Sequence, residues 1–232
     1  MLTRAFFHGI SYTGQEILLN FFMKLNPYSG LFVDIEGLDG AGCATQVKKI
    51  GQALMKEKVK VYLTKEPTRG PIGKLVRAAL EGEFNSLPPA SVQLLFAADR
   101  GRHLNDEIIP RLEKGELVIT DRYLWSSVAF GSIHLSKEWL FNLNQEFILP
   151  DVSILIDVSP EECLKRIKKE KISLELFERR SELENAGETF SYLANKYPFY
   201  LYVVNGERPP DEITEDIVKL IRGRGKFKRA KK

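Results

Sequence analysis

Sulfur and imidazole are scarce in this chain, whose 232 residues include only 2 cysteines, 3 histidines and 3 methionines. Cys43 and Cys163 stand far apart, and no cysteine or histidine pair has the short spacing of a zinc site. His8, His103 and His134 are equally scattered, so a histidine-built metal centre is not expected. Two isolated thiols make no disulfide framework; they fit a reducing compartment, and the expected location is cytoplasmic. No run of about 18 or more uncharged apolar residues occurs, so no membrane-spanning helix is expected. Residues 1–30 also lack the continuous apolar core and small-residue cleavage site of a secretory signal. Ser11, Thr13, Gln15 and Glu16 interrupt the apolar Phe6, Phe7, Ile17, Leu18, Leu19, Phe21 and Phe22. This segment reads as an N-terminal extension, with Met23 as an alternative start.

A strong excess of one charge is missing too. Lysine and arginine number 34 against 31 acids, a net charge of +3. Arg224, Lys226, Lys228, Arg229, Lys231 and Lys232 all fall in residues 223–232; removing these six from +3 leaves −3 for the remainder. The body is therefore mildly acidic and carries a basic tail. That tail has one aromatic and no repeated motif, so it reads as a solvated end and no nucleic-acid partner is expected.

What the chain does have is alternation. Apolar segments at Leu31–Glu36, Val59–Thr64, Leu117–Thr120, Val152–Val158 and Tyr200–Val204 read as strands. Between them, helical periodicity runs over Ala44–Lys58, from Pro71 to about Gly82, from Pro88-Pro89 toward Pro110, and over Trp139–Phe147, Pro160–Lys169 and Asp211–Arg222. A break or kink is expected at Pro110. Residues from Lys169 to about Arg180 read as a polar region. Strand–helix alternation predicts an α/β domain over residues 31–222, a five-stranded parallel sheet with helices on both faces. No repeat or linker divides it. Ligands on such a sheet bind beyond the carboxyl ends of the strands.

The residues that follow the first strand are Gly37-Leu38-Asp39-Gly40-Ala41-Gly42-Cys43-Ala44-Thr45. The glycine spacing is that of a phosphate-binding Walker A loop leading into a helix. Its usual lysine and hydroxyl residue are replaced by Cys43 and Ala44. The cradle of backbone N–H groups survives this change, because it needs no side chain. A thiol at a helix N-terminus is expected to have a lowered pKa if it is open to that dipole, and to stay neutral if it is simply packed.

Three further groups sit at strand ends or on the long helix: Glu66-Pro67-Thr68, Phe96-Ala97-Ala98-Asp99-Arg100, and Asp121-Arg122-Tyr123 with Ser126-Ser127. Together with the glycine loop, in this order, they resemble the thymidylate kinase family of P-loop nucleoside monophosphate kinases. The resemblance runs from about Leu31 to Ile221. It implies the P-loop NTPase fold of the nucleoside monophosphate kinases and transfer of the ATP γ-phosphoryl group to thymidine monophosphate, with Mg2+. It also implies a homodimer.

Carried over by residue, the resemblance gives ATP binding to Gly37, Leu38, Asp39, Gly40, Ala41, Gly42, Cys43, Ala44 and Thr45. It gives acceptor binding to Asp39, Glu66, Pro67, Arg77, Phe96, Arg100, Arg122, Ser126, Ser127 and Phe130. Phe96 would stack on the base, or be plain core. Arg100 would reach the base edge, or pair with Asp99 or Glu107. Arg122 would hold the acceptor phosphate, and Arg77 would face the acceptor or solvent. Asp121 would organise the metal, or pair with a loop arginine. Asp39, Arg122 and Arg166 are the expected catalytic residues, and residues 166–180, with Lys168, Lys169, Lys171, Arg179 and Arg180, would form a lid over ATP.

Three departures bear on function. Cys43 removes a cation from the donor site, and a lid cation or Arg69 is the expected substitute, since Lys48 lies about 140° round the helix. Ala44 removes a hydroxyl that would bind Mg2+. Phe130-Gly131 stands where the family has Tyr-Gln, which removes a glutamine from the base site. Two other functions therefore remain: a monophosphate kinase of broader base choice, and a nucleotide-binding protein with impaired catalysis.

Overall fold

The central strand β4 (Leu31–Gly37) is buried at every position, as a strand covered on both faces must be. The structure, a computed structural model, describes residues 5–7, 10–12, 23–84, 87–167 and 175–224; side chains are described from residue 23 onward, apart from 175–179. The lid residues Lys168, Lys169, Lys171 and Arg179, the basic tail beyond residue 224 and most of the N-terminal extension fall outside that description.

In chain order, β1 (Ala5–Phe7) pairs antiparallel with β2 (Ile10–Tyr12). β3 (Lys24–Leu25) precedes β4 and pairs with the later β7 (Ile148–Leu149). Then follow α1 (Cys43–Lys56), β5 (Val61–Lys65), α2 (Pro71–Leu80) and α3 (Pro89–His103). A π-helical turn (Leu104–Ile108), α4 (Ile109–Glu113) and β6 (Leu117–Asp121) come next. After them come α5 (Leu124–Gly131), α6 (Lys137–Asn144) and β8 (Val152–Asp157). The chain continues through α7 (Pro160–Ile167), α8 (Glu175–Lys196), β9 (Leu201–Asn205) and α9 (Pro210–Gly223).

The main sheet has the order β5-β6-β4-β8-β9, every pair parallel. This is the five-stranded parallel sheet read from the sequence. Helix α1 packs on β5 and β6 and against α9, while α5 packs on β4 and α8. Val47, Ile50 and Leu54 form the buried stripe of α1. Both faces are therefore covered. The carboxyl ends of β4, β5 and β6 bring the glycine loop, Glu66 and Arg122 to one edge.

The structure refines three expectations. At Pro110 the helix does not stop: the π-helical turn carries it into α4, with Pro110 in that helix's first turn. The looser turn accommodates a residue that has no N–H and a bulky ring. Helix α5 escaped the sequence reading because only Phe130 among its residues is not buried, leaving no polar face to show a period. The region read as polar to about Arg180 contains the start of the 22-residue helix α8.

Candidate active site

Backbone geometry builds the loop. Gly40 and Gly42 have φ of 88° and 96°, left-handed values that glycine adopts without a Cβ penalty. A Cβ on Gly40 would also lie 2.7 Å from the Cys163 carbonyl oxygen. Gly42 caps α1 with no side-chain hydrogen bond, and the first turn of α1 holds no acid. Its N–H groups are left for an anion. The loop faces a cavity of about 590 Å³ walled also by Asp121, Arg122, Arg166 and Arg208.

Cys43 is buried, and a Cβ on Gly37 would lie 3.1 Å from its Sγ. Burial pushes its thiol up to about 12, against the pull of the Arg122 charge. Of the two readings of this thiol, the packed, neutral one holds, because loss of water disfavours the thiolate. Of the substitutes expected for the missing lysine, Arg69 is exposed and outside the loop cavity, as is Lys48, which helical rotation had already set aside. Arg166 is on its wall, donating to Glu162 at 3.1 Å and to the Gly206 carbonyl at 3.2 Å. Arg180 pairs with Glu161 and Glu184.

A second cavity, of about 760 Å³, opens beside the first. Asp39, Glu66, Pro67, Phe96, Arg100, Asp121, Arg122, Ser126, Ser127 and Phe130 all line it. Gln93, Phe96 and Arg100 lie at helical spacing on α3, so one face of that helix forms a wall. Arg77 is not on this wall; its guanidinium donates to the carbonyls of Pro67 and Thr68, at 3.0 and 2.6 Å. It braces the 66–68 loop rather than facing the cavity.

Arg100 is 1% exposed and nearly saturated. It donates to Glu66 at 2.8 and 3.0 Å, to the Tyr123 carbonyl at 3.0 Å, to Ser127 at 2.9 Å, and to Asn144. The pairing with Asp99 or Glu107 considered from sequence is replaced by Glu66. Asp99 instead accepts from the Thr68 amide and hydroxyl, both at 2.6 Å. His103 bridges Glu66 and Thr64, at 3.1 and 2.7 Å. The Glu66–Pro67 bond is cis. A polar network thus fixes the segment from Glu66 to Thr68 against α3.

Arg122 stands at the junction of the two cavities and lines both. Its φ of 69° is left-handed, and its amide donates to the Ile35 carbonyl at 2.9 Å. The guanidinium donates to the Gly37 carbonyl at 2.8 Å, to Ser126 at 2.9 Å and to Asp39 at 2.7 Å. It also lies over the Phe130 ring, 5.1 Å from the centroid. Asp121, next to it, has its carboxyl pushed up by burial against the charges of Arg122 and Lys65.

Behind the loop lie two acids, Asp34 and Glu36, on one face of β4 and both wholly buried. Glu36 accepts from the amides of Tyr123 and Ser126, at 3.0 and 3.2 Å, and from the Ser126 hydroxyl. It ties β4 to the N-terminus of α5, where an anion is favoured. Neither oxygen of Asp34 has a hydrogen-bond partner. Burial, then the Glu36 charge, pushes its carboxyl well above the usual aspartate range. The sequence reading assigned no role to Asp34, Glu36, Gln93 or Asn144. Two acids inside an otherwise apolar strand were the available signal for the first pair; Gln93 and Asn144 gave none.

A family model described as "Thymidylate kinase" matches residues 35–217. A protein of Thermococcus gammatolerans named "Probable thymidylate kinase" is 38% identical over 201 residues, covering 83% of this chain and 96% of its own. One of the same name from Thermococcus onnurineus is 38% identical over 200 residues, with 82% and 97% covered. A third, from Pyrobaculum aerophilum, is 38% identical over 199 residues, with 85% and 99% covered.

Proposed function

The chain belongs to the thymidylate kinase family and catalyses ATP-dependent phosphorylation of thymidine monophosphate to the diphosphate, and we propose that it does so across the two cavities that meet at Arg122. The loop cavity takes the ATP phosphates on the N–H groups of residues 37–45. The larger cavity takes the nucleoside monophosphate, with Phe96 against the base and Arg122 on the phosphate. The observation that carries this arrangement is the position of Arg122, bonded to the loop carbonyl of Gly37 and to Asp39 while lining both spaces.

An oxygen of the acceptor phosphate bonds to the γ-phosphorus while the bond to the β–γ bridging oxygen breaks, and ADP departs with that electron pair. No proton changes place, so the residues act by alignment and charge rather than as acid or base. Asp39 holds the Arg122 guanidinium and faces the acceptor sugar. Arg100, on the wall of the larger cavity, meets the base edge. Glu66, Pro67, Ser126 and Ser127 hold these arginines and their loop in place. Arg166 approaches the donor phosphates from α7, as the first residue of the proposed lid.

Asp39 and Asp121 both open onto the loop cavity, and carboxylate oxygens suit a hard divalent cation. Among the described residues no group of three histidines, cysteines or acids gathers to hold a metal, and Ala44 offers no hydroxyl. We therefore assign Mg2+ to these two carboxylates together with the nucleotide phosphates, where it would neutralise charge on the β- and γ-oxygens.

The test is ADP release from ATP and Mg2+ by the purified chain, with and without thymidine monophosphate. Acceptor-dependent release blocked by Arg122→Gln is expected; release indifferent to Arg122 would refute this placement of the site. Gly131 favours a second reading, of broader base choice. A Cβ there would lie 2.8 Å from Leu140 and 3.1 Å from Gln93, so position 131 offers the base no side chain. Uridine and cytidine monophosphates as acceptors separate the two readings.

The proposed assembly is a homodimer. Leu75, Leu80, Phe84, Leu87 and Leu94, on α2, α3 and the segment between them, are each 36% to 61% exposed. A second copy would cover these side chains; a monomer in sedimentation at micromolar concentration would refute it. No helix among the described residues is long and apolar enough to cross a membrane, and both cysteines are free thiols. The proposed location is the cytoplasm.

A further inference from the structure

Gln93 is 8% exposed on the wall of the larger cavity, and its Oε1 has no hydrogen-bond partner. Among the described residues, the other buried side-chain oxygens left unpartnered are the two of Asp34, and of these two residues only Gln93 lines the cavity. A buried polar atom without a partner is costly and calls for a cause. On the reading above that this cavity takes the nucleoside monophosphate, we infer that the Gln93 amide binds the polar edge of the pyrimidine base and sets base choice together with Arg100.

Position supports this. Gln93, Phe96 and Arg100 stand at i, i+3 and i+7 on α3, on the face that walls the cavity. Phe96 takes the flat of the base, and the side chains one turn before it and one turn after it flank the ring. Gly131 makes the room. A Cβ there would lie 3.1 Å from Gln93 Cδ, and 2.8 and 3.0 Å from the two Leu140 methyl carbons. The amide therefore fills space that a side chain at position 131 would claim. Glycine at 131 gives the base no contact of its own, and the polar group beside it belongs to α3.

The chemistry fits a base edge. Thymine carries N3–H between two carbonyl groups. A carboxamide offers an acceptor and a donor side by side, and a half-turn about its last torsion exchanges them. Oε1 is sealed from solvent, and because no group in the protein holds it, that half-turn breaks none of its hydrogen bonds. Turned to the cavity, Oε1 accepts from N3–H while the NH2 group donates to the neighbouring carbonyl. Glutamine and asparagine read adenine in DNA through a two-bond pair of the same kind. Arg100 has no such freedom. Glu66, Ser127 and the Tyr123 carbonyl fix its guanidinium, which only donates. It suits a carbonyl on the base and leaves the amino group of cytosine without an acceptor. Gln93 thus adds affinity for thymine and uracil alike, since an amide at N3 does not sense the 5-methyl group, and Arg100 turns cytosine away.

The experiment is calorimetric titration of the full chain with thymidine monophosphate and with its N3-methyl analogue, which cannot donate from N3. The wild type is expected to bind the analogue roughly 5- to 100-fold more weakly, the range for one paired base edge. Gln93→Leu removes the amide at similar size. It is expected to weaken thymidine and deoxyuridine monophosphates by that same factor, to bind ATP as the wild type does, and to lose most of the discrimination against the analogue. Thermal melting without nucleotide separates this from a structural role: the variant loses an unpaired buried polar atom and is expected to melt no lower than the wild type. A wild-type chain that binds the analogue as tightly as thymidine monophosphate overturns the inference without any variant. So does a folded Gln93→Leu chain with wild-type affinity for thymidine monophosphate. Phe96→Ala tells this failure from failure of the underlying reading. If it weakens thymidine monophosphate and Gln93→Leu does not, the base is in the cavity and Gln93 does not read it; if neither weakens it, the cavity is not the acceptor site and both fall.

Discussion

Asp34 gives the sharpest stability prediction. It is 0% exposed in the central strand, and neither oxygen has a partner. Its neighbour Glu36 takes both amides and the hydroxyl offered at the start of α5. Burial and then the Glu36 charge push the Asp34 carboxyl well above its ordinary value, with Ser153 pulling the other way. Burial pushes Glu36 up as well, but the Ser126 hydroxyl, the Arg122 charge and the amides of Ser126 and Tyr123 pull it back, so the first proton of the pair goes to Asp34. The native chain holds a proton that the unfolded chain releases above the ordinary aspartate pKa. Rising pH then costs stability across the window between the unfolded and native values, at about 1.4 kcal/mol per pH unit for one proton. Asp34→Asn is nearly isosteric and cannot titrate, so it loses this slope. For a domain of this size, 1.4 kcal/mol corresponds to roughly 3–6 °C in melting temperature. Calorimetric melting of both chains from about pH 4 to 9 should show curves that approach each other at the acid end and separate as pH rises, with the variant the more stable. A separation that stays constant with pH would refute the assignment of the proton to Asp34.

Three other outcomes follow from the same geometry. Phe96→Ala should raise the KM for thymidine monophosphate roughly 5- to 100-fold, from the loss of one base stack, and leave the KM for ATP unchanged; steady-state kinetics with each substrate varied in turn checks it, and equal loss on both would refute stacking. Glu66→Ala leaves the buried Arg100 without its anion. That break should cost about 3–5 kcal/mol and lower the melting temperature by roughly 6–20 °C, a loss that calorimetry would detect. Cys43 is buried with its thiol pushed up to about 12, and Cys163 is buried too. A disulfide-exchange reagent at about pH 8 should therefore label the native chain slowly and the denatured chain at 2 thiols. Rapid native labelling of Cys43 would show the site to be open.

The sheet was legible because each of its five strands is an apolar run bounded by breakers, and because the helices between them keep a polar face. Helix α5 was hidden by the same logic run backwards. Wedged against β4, α6 and α8, it has almost no solvent face, and its pattern shows no period. The site divides along a similar line. Glu66, Phe96, Arg100 and Arg122 were legible because each lies in a motif whose order along the chain follows the strand ends. Their partners were not. Asn144 reaches Arg100 across 44 residues and Glu36 reaches Ser126 across 90. No local pattern encodes such pairs, which exist only once β4, α3 and α6 are packed together. Cys43 shows what this costs the reader of a sequence. The local signal, a thiol at a helix N-terminus, leaves a reactive anion and a packed neutral group both open; the fold buries it against Gly37, and desolvation keeps it neutral.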